Sequence, residues 1–257
     1  RRPYPYMLQQ WFDQSVGDSR YNAMQVTVTE HANHGVTFLA AYTLSHANAD
    51  GCNLGASCES QNPYNRHSDY GTSDLNQTNV FTIAFTAASP FNNSSKRLTR
   101  NVAGGWALNG IVQETSGQPY QVNAGGDPLN IGCCLTERMN VNGDPNAGGH
   151  TQKKWFNTAA FTAPTGYTYG NEKVNSLVSQ HYNNVDLSLF RDFRIGIGEE
   201  RYFEFRAESF NLFNNVVFTV PDRTNTDTNY GQVLSQRSGQ NGLPATRQLQ
   251  MSLKFYY

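Results

Sequence analysis

Apolar and polar residues alternate one by one along several separate stretches of this chain, and the stretches are long. In Tyr21–His31, Met24, Val26 and Val28 share one side, with Gln25, Thr27 and Thr29 on the other. In Val36–Ser45, Val36, Phe38, Ala40, Tyr42 and Leu44 alternate with Thr37, Leu39, Ala41 and Thr43. Asn79–Thr86 sets Phe81, Ile83 and Phe85 against Thr82, Ala84 and Thr86, and Trp106–Glu114 sets Trp106, Leu108, Gly110 and Val112 against Asn109 and Gln113. Val185, Leu187 and Leu189 alternate with Asn184, Asp186 and Ser188 in Asn183–Phe190, and Phe203, Phe205 and Ala207 with Glu204, Arg206 and Glu208 in Arg201–Phe213. The most regular stretch is Arg247–Tyr257, where Leu249, Met251, Leu253, Phe255 and Tyr257 alternate with Gln248, Gln250, Ser252, Lys254 and Tyr256. A period of two predicts strands with one apolar face. Soluble strands average roughly 5–6 residues, whereas strands that cross a bilayer need roughly 9–11.

The connections differ in length. His31–Gly35 and Arg194–Glu200 are short and Ala87–Gly105 is intermediate, while His46–Thr78, Thr115–Tyr182 and Asn214–Thr246 are long and rich in Asn, Gly, Thr, Ser and Pro. Short turns on one side and long loops on the other are the arrangement of bacterial outer-membrane barrels, with the short turns periplasmic. A soluble sandwich has turn signals about every 8–12 residues and no such bias. Glu204, Arg206 and Glu208 would then face a wet lumen, although in a sandwich they would be a solvated outer face. The outward face carries aromatics such as Tyr42, Trp106, Tyr202, Phe210 and Phe213, expected at the bilayer interfaces.

Composition agrees. Among 257 residues, 19 Lys+Arg oppose 20 Asp+Glu, a net charge of −1 that argues against nucleic-acid binding. Charged residues make up only 15% of the chain, against roughly 25% in soluble domains, and Asn alone occurs 28 times. Aromatics reach 12%, which excludes a disordered chain.

Chemistry is sparse. His31 and His34 have i, i+3 spacing in a turn without further ligands, and no zinc signature, phosphate loop, nucleophile elbow or calcium loop is present. No cofactor, metal site or catalytic activity is expected. Cys52 and Cys58 bracket a short segment of one long loop, where a local disulfide fits an oxidising exterior; Cys133 and Cys134 are adjacent, and their pairing stays open. Thr115–Tyr182, the longest connection, is the expected ligand-contacting loop. Its Trp155, Phe156, Phe161 and Tyr167 offer stacking surfaces, or else pin the loop to the barrel rim.

An ordered series of segments resembles a known family. It comprises Arg2-Pro-Tyr-Pro (2–5), Ser19-Arg-Tyr-Asn-Ala-Met-Gln-Val (19–26), Thr37-Phe-Leu-Ala-Ala-Tyr-Thr-Leu-Ser (37–45), Gln61-Asn-Pro-Tyr-Asn-Arg (61–66), Ser116-Gly-Gln-Pro-Tyr (116–120) and Gly143-Asp-Pro-Asn-Ala-Gly-Gly (143–149). It continues with Trp155-Phe-Asn-Thr-Ala-Ala-Phe (155–161), Asn184-Val-Asp-Leu-Ser-Leu-Phe-Arg-Asp-Phe (184–193), Phe205-Arg-Ala-Glu-Ser-Phe-Asn-Leu-Phe-Asn (205–214) and the last alternating strand. Together these resemble the C-terminal part of the Oar-like TonB-dependent receptor barrels of acidobacterial outer membranes. The cysteines are not part of that pattern.

The alternation gives about seven or eight strands, and the resemblance implies that they form a portion of an all-β antiparallel transmembrane barrel. Residues 1–257 would form the C-terminal part of a larger barrel, without its plug. Implied partners are outer-membrane lipid, the remainder of the barrel and plug, TonB acting through that plug, and the outer-membrane assembly machinery, for which Leu249, Met251, Leu253, Phe255 and Tyr257 resemble the recognition signal. The implied function is import of a ligand the sequence does not name. The alternative is an adhesive or structural β-protein with long exposed loops, either a soluble sandwich or a complete eight-stranded barrel that uses Tyr6–Phe12 as a further strand.

Overall fold

The computed structural model describes residues 15–33, 35–50, 60–62, 64–129, 137–166, 168–195, 201–237 and 246–257. Seven long strands form where the alternation predicts them: β1 (Ser19–Asn33), β2 (Val36–Ala49), β3 (Asn79–Ala88), β4 (Trp106–Thr115), β5 (Tyr182–Arg194), β6 (Tyr202–Phe210) and β7 (Gln248–Tyr256). Each pairs antiparallel with the next in chain order, and the two-residue strand Gly71–Thr72 adds to the end of β2. Among the described residues β1 and β7 are the outer edges of this sheet. Tyr6–Phe12 lies outside the described residues.

The register places all seven apolar rows on one face. Met24 is opposite Leu44, Val26 opposite Tyr42, and Tyr42 in turn opposite Phe81. Ile83 is opposite Val112, Val112 opposite Val185, Leu189 opposite Ala207, and Ala207 opposite Met251. A slip of one residue in any strand would turn its whole apolar row to the other face. Gly110 lies in the middle of this surface because its neighbours lean over it. A Cβ there would stand 2.3 Å from the Phe85 ring and 2.8 Å from Leu187.

That apolar face is not covered. Met24 is 52% exposed, Leu253 67% and Met251 75%. A soluble sandwich buries such a face against a second sheet. Here every buried hydrophobic side chain among the described residues, Tyr182 excepted, lies outside the seven long strands. An extended apolar surface left bare by the protein is what a sheet presents to lipid.

Three expectations change in detail. β6 stops at Phe210, short of Phe213, because Asn211 and Asn214 adopt positive φ and the Asn211 side chain brackets the turn, donating to the Asn215 carbonyl and accepting its amide. Tyr202 and Phe210 share the face of Glu204, Arg206 and Glu208, so they do not belong to the outward aromatics, and Phe213 lies in the turn. The outward aromatics near the short turns are instead Trp106, Phe193 and Phe205, in edge-to-face contact, with Phe203 against Phe255. The intermediate connection also contains a helix, α1 (Arg97–Ala103), where the sequence shows no helical period.

Candidate functional site

The polar face of β4–β7 carries a continuous band of hydrogen-bonding groups. Arg206 stands between the two glutamates of its own strand, its Nε 3.3 Å from Glu204 and its Nη1 3.6 Å from Glu208. It also lies over the Phe190 ring at 5.1 Å. The register extends the band sideways, with Glu204 between Asp192 and Lys254, Glu208 between Ser188 and Gln250, and Ser188 beside Asn109. These groups are partly shielded rather than buried. Such a surface suits a hydrated interior in which water completes the hydrogen bonds of each charge.

At the other end of the strands the long connections fold together. The chain after β4 forms two short ladders, Pro119–Tyr120 with Leu177–Val178 and Asn140–Val141 with Phe161–Thr162. Its core comprises Tyr120, Val122, Met139, Trp155, Phe156, Ala160, Phe161 and Leu177. The connection after β6 closes over it: Phe218, Val220, Tyr230 and Val233 pack on that core, and the Trp155 amide donates to the Gly231 carbonyl at 2.8 Å. Gly231 needs its positive φ of 81° to make this approach. The connection after β2 is tied on by polar contacts. Gln61 accepts the Arg138 amide at 2.8 Å and donates to the Gly170 carbonyl, while the Arg138 guanidinium pairs with Asp69 and donates to the Ser68 carbonyl. Three loops thus make one packed cap over one end of the sheet.

Among the described residues two carboxyl groups are buried in this cap. Glu172 is 2% exposed; its Oε1 accepts the Val122 amide at 3.0 Å and the Ser176 hydroxyl at 2.9 Å. Burial pushes its pKa from 4.5 up to about 7. Burial also pushes Glu137 to about 7, with a side-chain hydrogen bond to Asp127 adding to the effect. Tyr120 and Tyr230 are raised as well, first by burial and then by the Glu172 charge, Tyr120 responding also to Tyr230. A carboxyl held neutral can donate a hydrogen bond.

An open cavity of about 190 Å³ lies where the cap meets the sheet, lined by Gln180, His181, Asn183, Asn215, Val216 and Val217. It is below the usual range for sites that enclose an organic ligand, roughly 300–1,000 Å³. Among the described residues no group of three His, Cys, Asp or Glu side chains is placed to hold a metal. Among the described residues no helix is long and apolar enough to cross a membrane, which says nothing of crossing by strands.

Of the loop aromatics singled out from the sequence, Trp155, Phe156 and Phe161 come together, but inside the cap. They are 9%, 1% and 6% exposed, so their rings pin loop to loop and offer no open stacking face. Tyr167, Cys52, Cys58, Cys133 and Cys134 lie outside the described residues. Leu249, Met251, Leu253 and Phe255 project from the apolar face of the edge strand β7, and Tyr257 follows it, stacked on Phe255 at 6.0 Å. The buried Glu172 and Arg138 and the half-buried Tyr230 had no sequence signal. Each is an isolated residue in polar loop, and ladders two residues long leave no periodicity to read.

A family model described as "Outer membrane beta barrel domain" fits residues 1–250. No curated protein and no solved structure matches.

Proposed function

The chain belongs to the outer-membrane β-barrel domain family and resides in the bacterial outer membrane, and from that premise we propose that it serves as part of a TonB-dependent receptor that imports a ligand, rather than as an enzyme. The observation that carries the reading is the pairing of a lipid-facing sheet with a packed three-loop cap at one end only. A purely structural barrel needs the first; a receptor needs both, because ligand must be selected outside before it enters. We read the capped end as extracellular and the short-turn end as periplasmic, in line with the ordered segments shared with Oar-like receptors.

The edges of the sheet bear on its size. Each unpaired backbone group in hydrocarbon costs several kcal/mol, so a lipid-embedded sheet must close. We take β1 and β7 to pair with further strands of a larger barrel whose lumen holds a plug against the polar band of β4–β7. On this reading the plug supplies the TonB contact. The regular outward row of β7 also suits capture by the assembly machinery, since an extended edge strand can add to a sheet edge by backbone hydrogen bonds.

The test is binding to TonB. The product of the complete gene, purified in detergent, should bind the periplasmic domain of TonB saturably. No binding, together with refolding of residues 1–257 alone into a heat-modifiable, protease-resistant monomer, would replace the receptor with a complete small barrel.

A further inference from the structure

The connection between β3 and β4 reaches outward, over the apolar face. Arg191 and Trp106 both belong to that face, as the register with Phe205 and Leu189 shows. Their side chains hold the end of α1: Arg191 donates to the carbonyls of Asn101 at 2.6 Å and Val102 at 3.0 Å, and the Trp106 indole donates to Val102 at 2.9 Å. The Arg191 guanidinium also lies over the Phe193 and Trp106 rings, at 4.8 and 5.7 Å. An arginine on a lipid-facing surface is costly, and here the free carbonyls of a helix C-terminus accept from both of its Nη atoms, while its buried Nε meets no acceptor among the described residues. Ser89 and Asn92 fix the two ends of the segment to each other by bonds to Ala103 and Gly105.

What α1 then shows to its surroundings is unusual for a turn. Leu98 is 78% exposed, Val102 64% and Phe91 48%. Leu98 and Val102, four apart, share one side of the helix. Lys96, Arg97 and Arg100 are exposed on other sides, and no Asp or Glu occurs anywhere from Ala87 to Gln113 to neutralise them. The side that faces the protein carries only Thr99 and Ala103, the two helical residues that are half-buried. An exposed apolar edge beside an unopposed basic edge, continuous with a lipid-facing sheet and its aromatic rim, is the pattern of an element lying in a membrane interface.

We propose that Ser89–Gly105 is a membrane-surface foot that docks on anionic phospholipid of the periplasmic leaflet, with Leu98 and Val102 in the acyl boundary and Lys96, Arg97 and Arg100 on headgroup phosphates. The proposal rests on the lipid-facing reading of the apolar sheet face and on the periplasmic reading of the short-turn end. Basic residues near an anionic surface attract its headgroups additively, so three concentrate anionic lipid beside the foot by several-fold.

The experiment uses the complete protein in vesicles of three parts phosphatidylcholine to one part phosphatidylglycerol. A photoreactive phenylalanine analogue replaces Leu98, or Leu253 on the open sheet face, or Asn146 in the cap. After irradiation, adducts are identified by mass. The probe at Leu98 should capture lipid well above the Asn146 level, with phosphatidylglycerol over-represented several-fold relative to the bilayer. The combined K96Q, R97Q and R100Q changes, all on exposed side chains, should return that ratio to the bulk value. Lipid adducts at Leu253 but none at Leu98 would overturn the foot and leave the barrel intact. Absence of lipid at Leu253 would instead strike at the barrel reading. In cells, a protein adduct at Leu98 in place of lipid would make this element a docking site for a periplasmic partner and reject the proposal. Bulk-ratio lipid in the unsubstituted protein would reject headgroup recognition.

Discussion

Glu172 accepts the backbone amide of Val122 at 3.0 Å through one carboxyl oxygen, while its other oxygen, equally buried, meets no donor among the described residues. The group therefore favours its neutral form. Its folded pKa of about 7 lies above the ordinary 4.5, so the native cap holds this proton more tightly than the unfolded chain does. The stabilisation is complete below pH 4.5 and is lost as pH rises through 7. A shift of this size corresponds to roughly 3 kcal/mol. Amide exchange in the cap, corrected for the intrinsic pH dependence of exchange, should show weaker protection at pH 8 than at pH 5. Glu172→Gln, which keeps an acceptor for Val122 and cannot ionise, should remove most of that difference. An unchanged pH dependence in this variant would assign the effect to Glu137, whose pKa is shifted in the same direction.

Phe156 is the centre of the cap. Its ring meets Tyr120 at 6.2 Å, Phe161 at 5.6 Å and Tyr230 at 5.4 Å. Phe156→Ala should cost the cap about 3–5 kcal/mol. The sheet shares none of this core, so protease should cut the loops of the variant in intact cells while its outer-membrane level holds. Loss of the protein from the membrane would show that cap and sheet fold as one cooperative unit.

The sheet was legible and the cap was not, for one physical reason. Residues such as Leu187 and Leu253 repeat a preference at every second position, and repetition over a bilayer's thickness is readable without any partner. Even the face was readable, because the rows that share it were each apolar separately. The cap is built from single residues brought together across three loops, such as Tyr230 against Phe156 and Asp69 against Arg138. Nothing local distinguishes a loop aromatic that awaits a ligand from one that fills a core; Phe156 does the second. α1 stayed hidden because it has only seven residues and is held by Arg191 and Trp106 rather than by its own apolar face.

Arg138 and Asp69 join two of the three loops; Arg138 is buried and Asp69 is largely shielded, with side-chain exposures of 7% and 13%. Removing one partner of a buried pair leaves the other charge uncompensated, at a cost of about 3–5 kcal/mol. Asp69→Ala should therefore loosen the cap more than the double change Asp69→Ala with Arg138→Met, which leaves no buried charge behind. Amide protection around Met139 and Gln61 is the readout. Additive losses in the double variant would show that the pair contributes through packing and not through charge.

Leu187 and Ser188 are adjacent in the middle of β5 and project from opposite faces of the sheet. Leu187 lies opposite Gly110 and Ser209, on the surface shared with Phe85 and Leu189. Ser188 lies opposite Asn109 and Glu208, in the polar band. An arginine on the lipid face of a barrel costs about 2–4 kcal/mol near the bilayer midplane, whereas a lumen position keeps its water. Leu187→Arg should therefore lower the stability of the complete protein in bilayers by that amount. Ser188→Arg should be mild, because Glu208 stands beside it on the polar face. Phe205→Arg provides the control on the next strand, since Phe205 shares the Leu187 face but lies closer to the aromatic rim, where the penalty falls. The expected order of damage is Leu187, then Phe205, then Ser188, measured by denaturant unfolding in lipid vesicles. If instead Ser188→Arg is as damaging as Leu187→Arg, the polar band is packed and dry, and the assignment of lipid and lumen faces fails together with the barrel it describes.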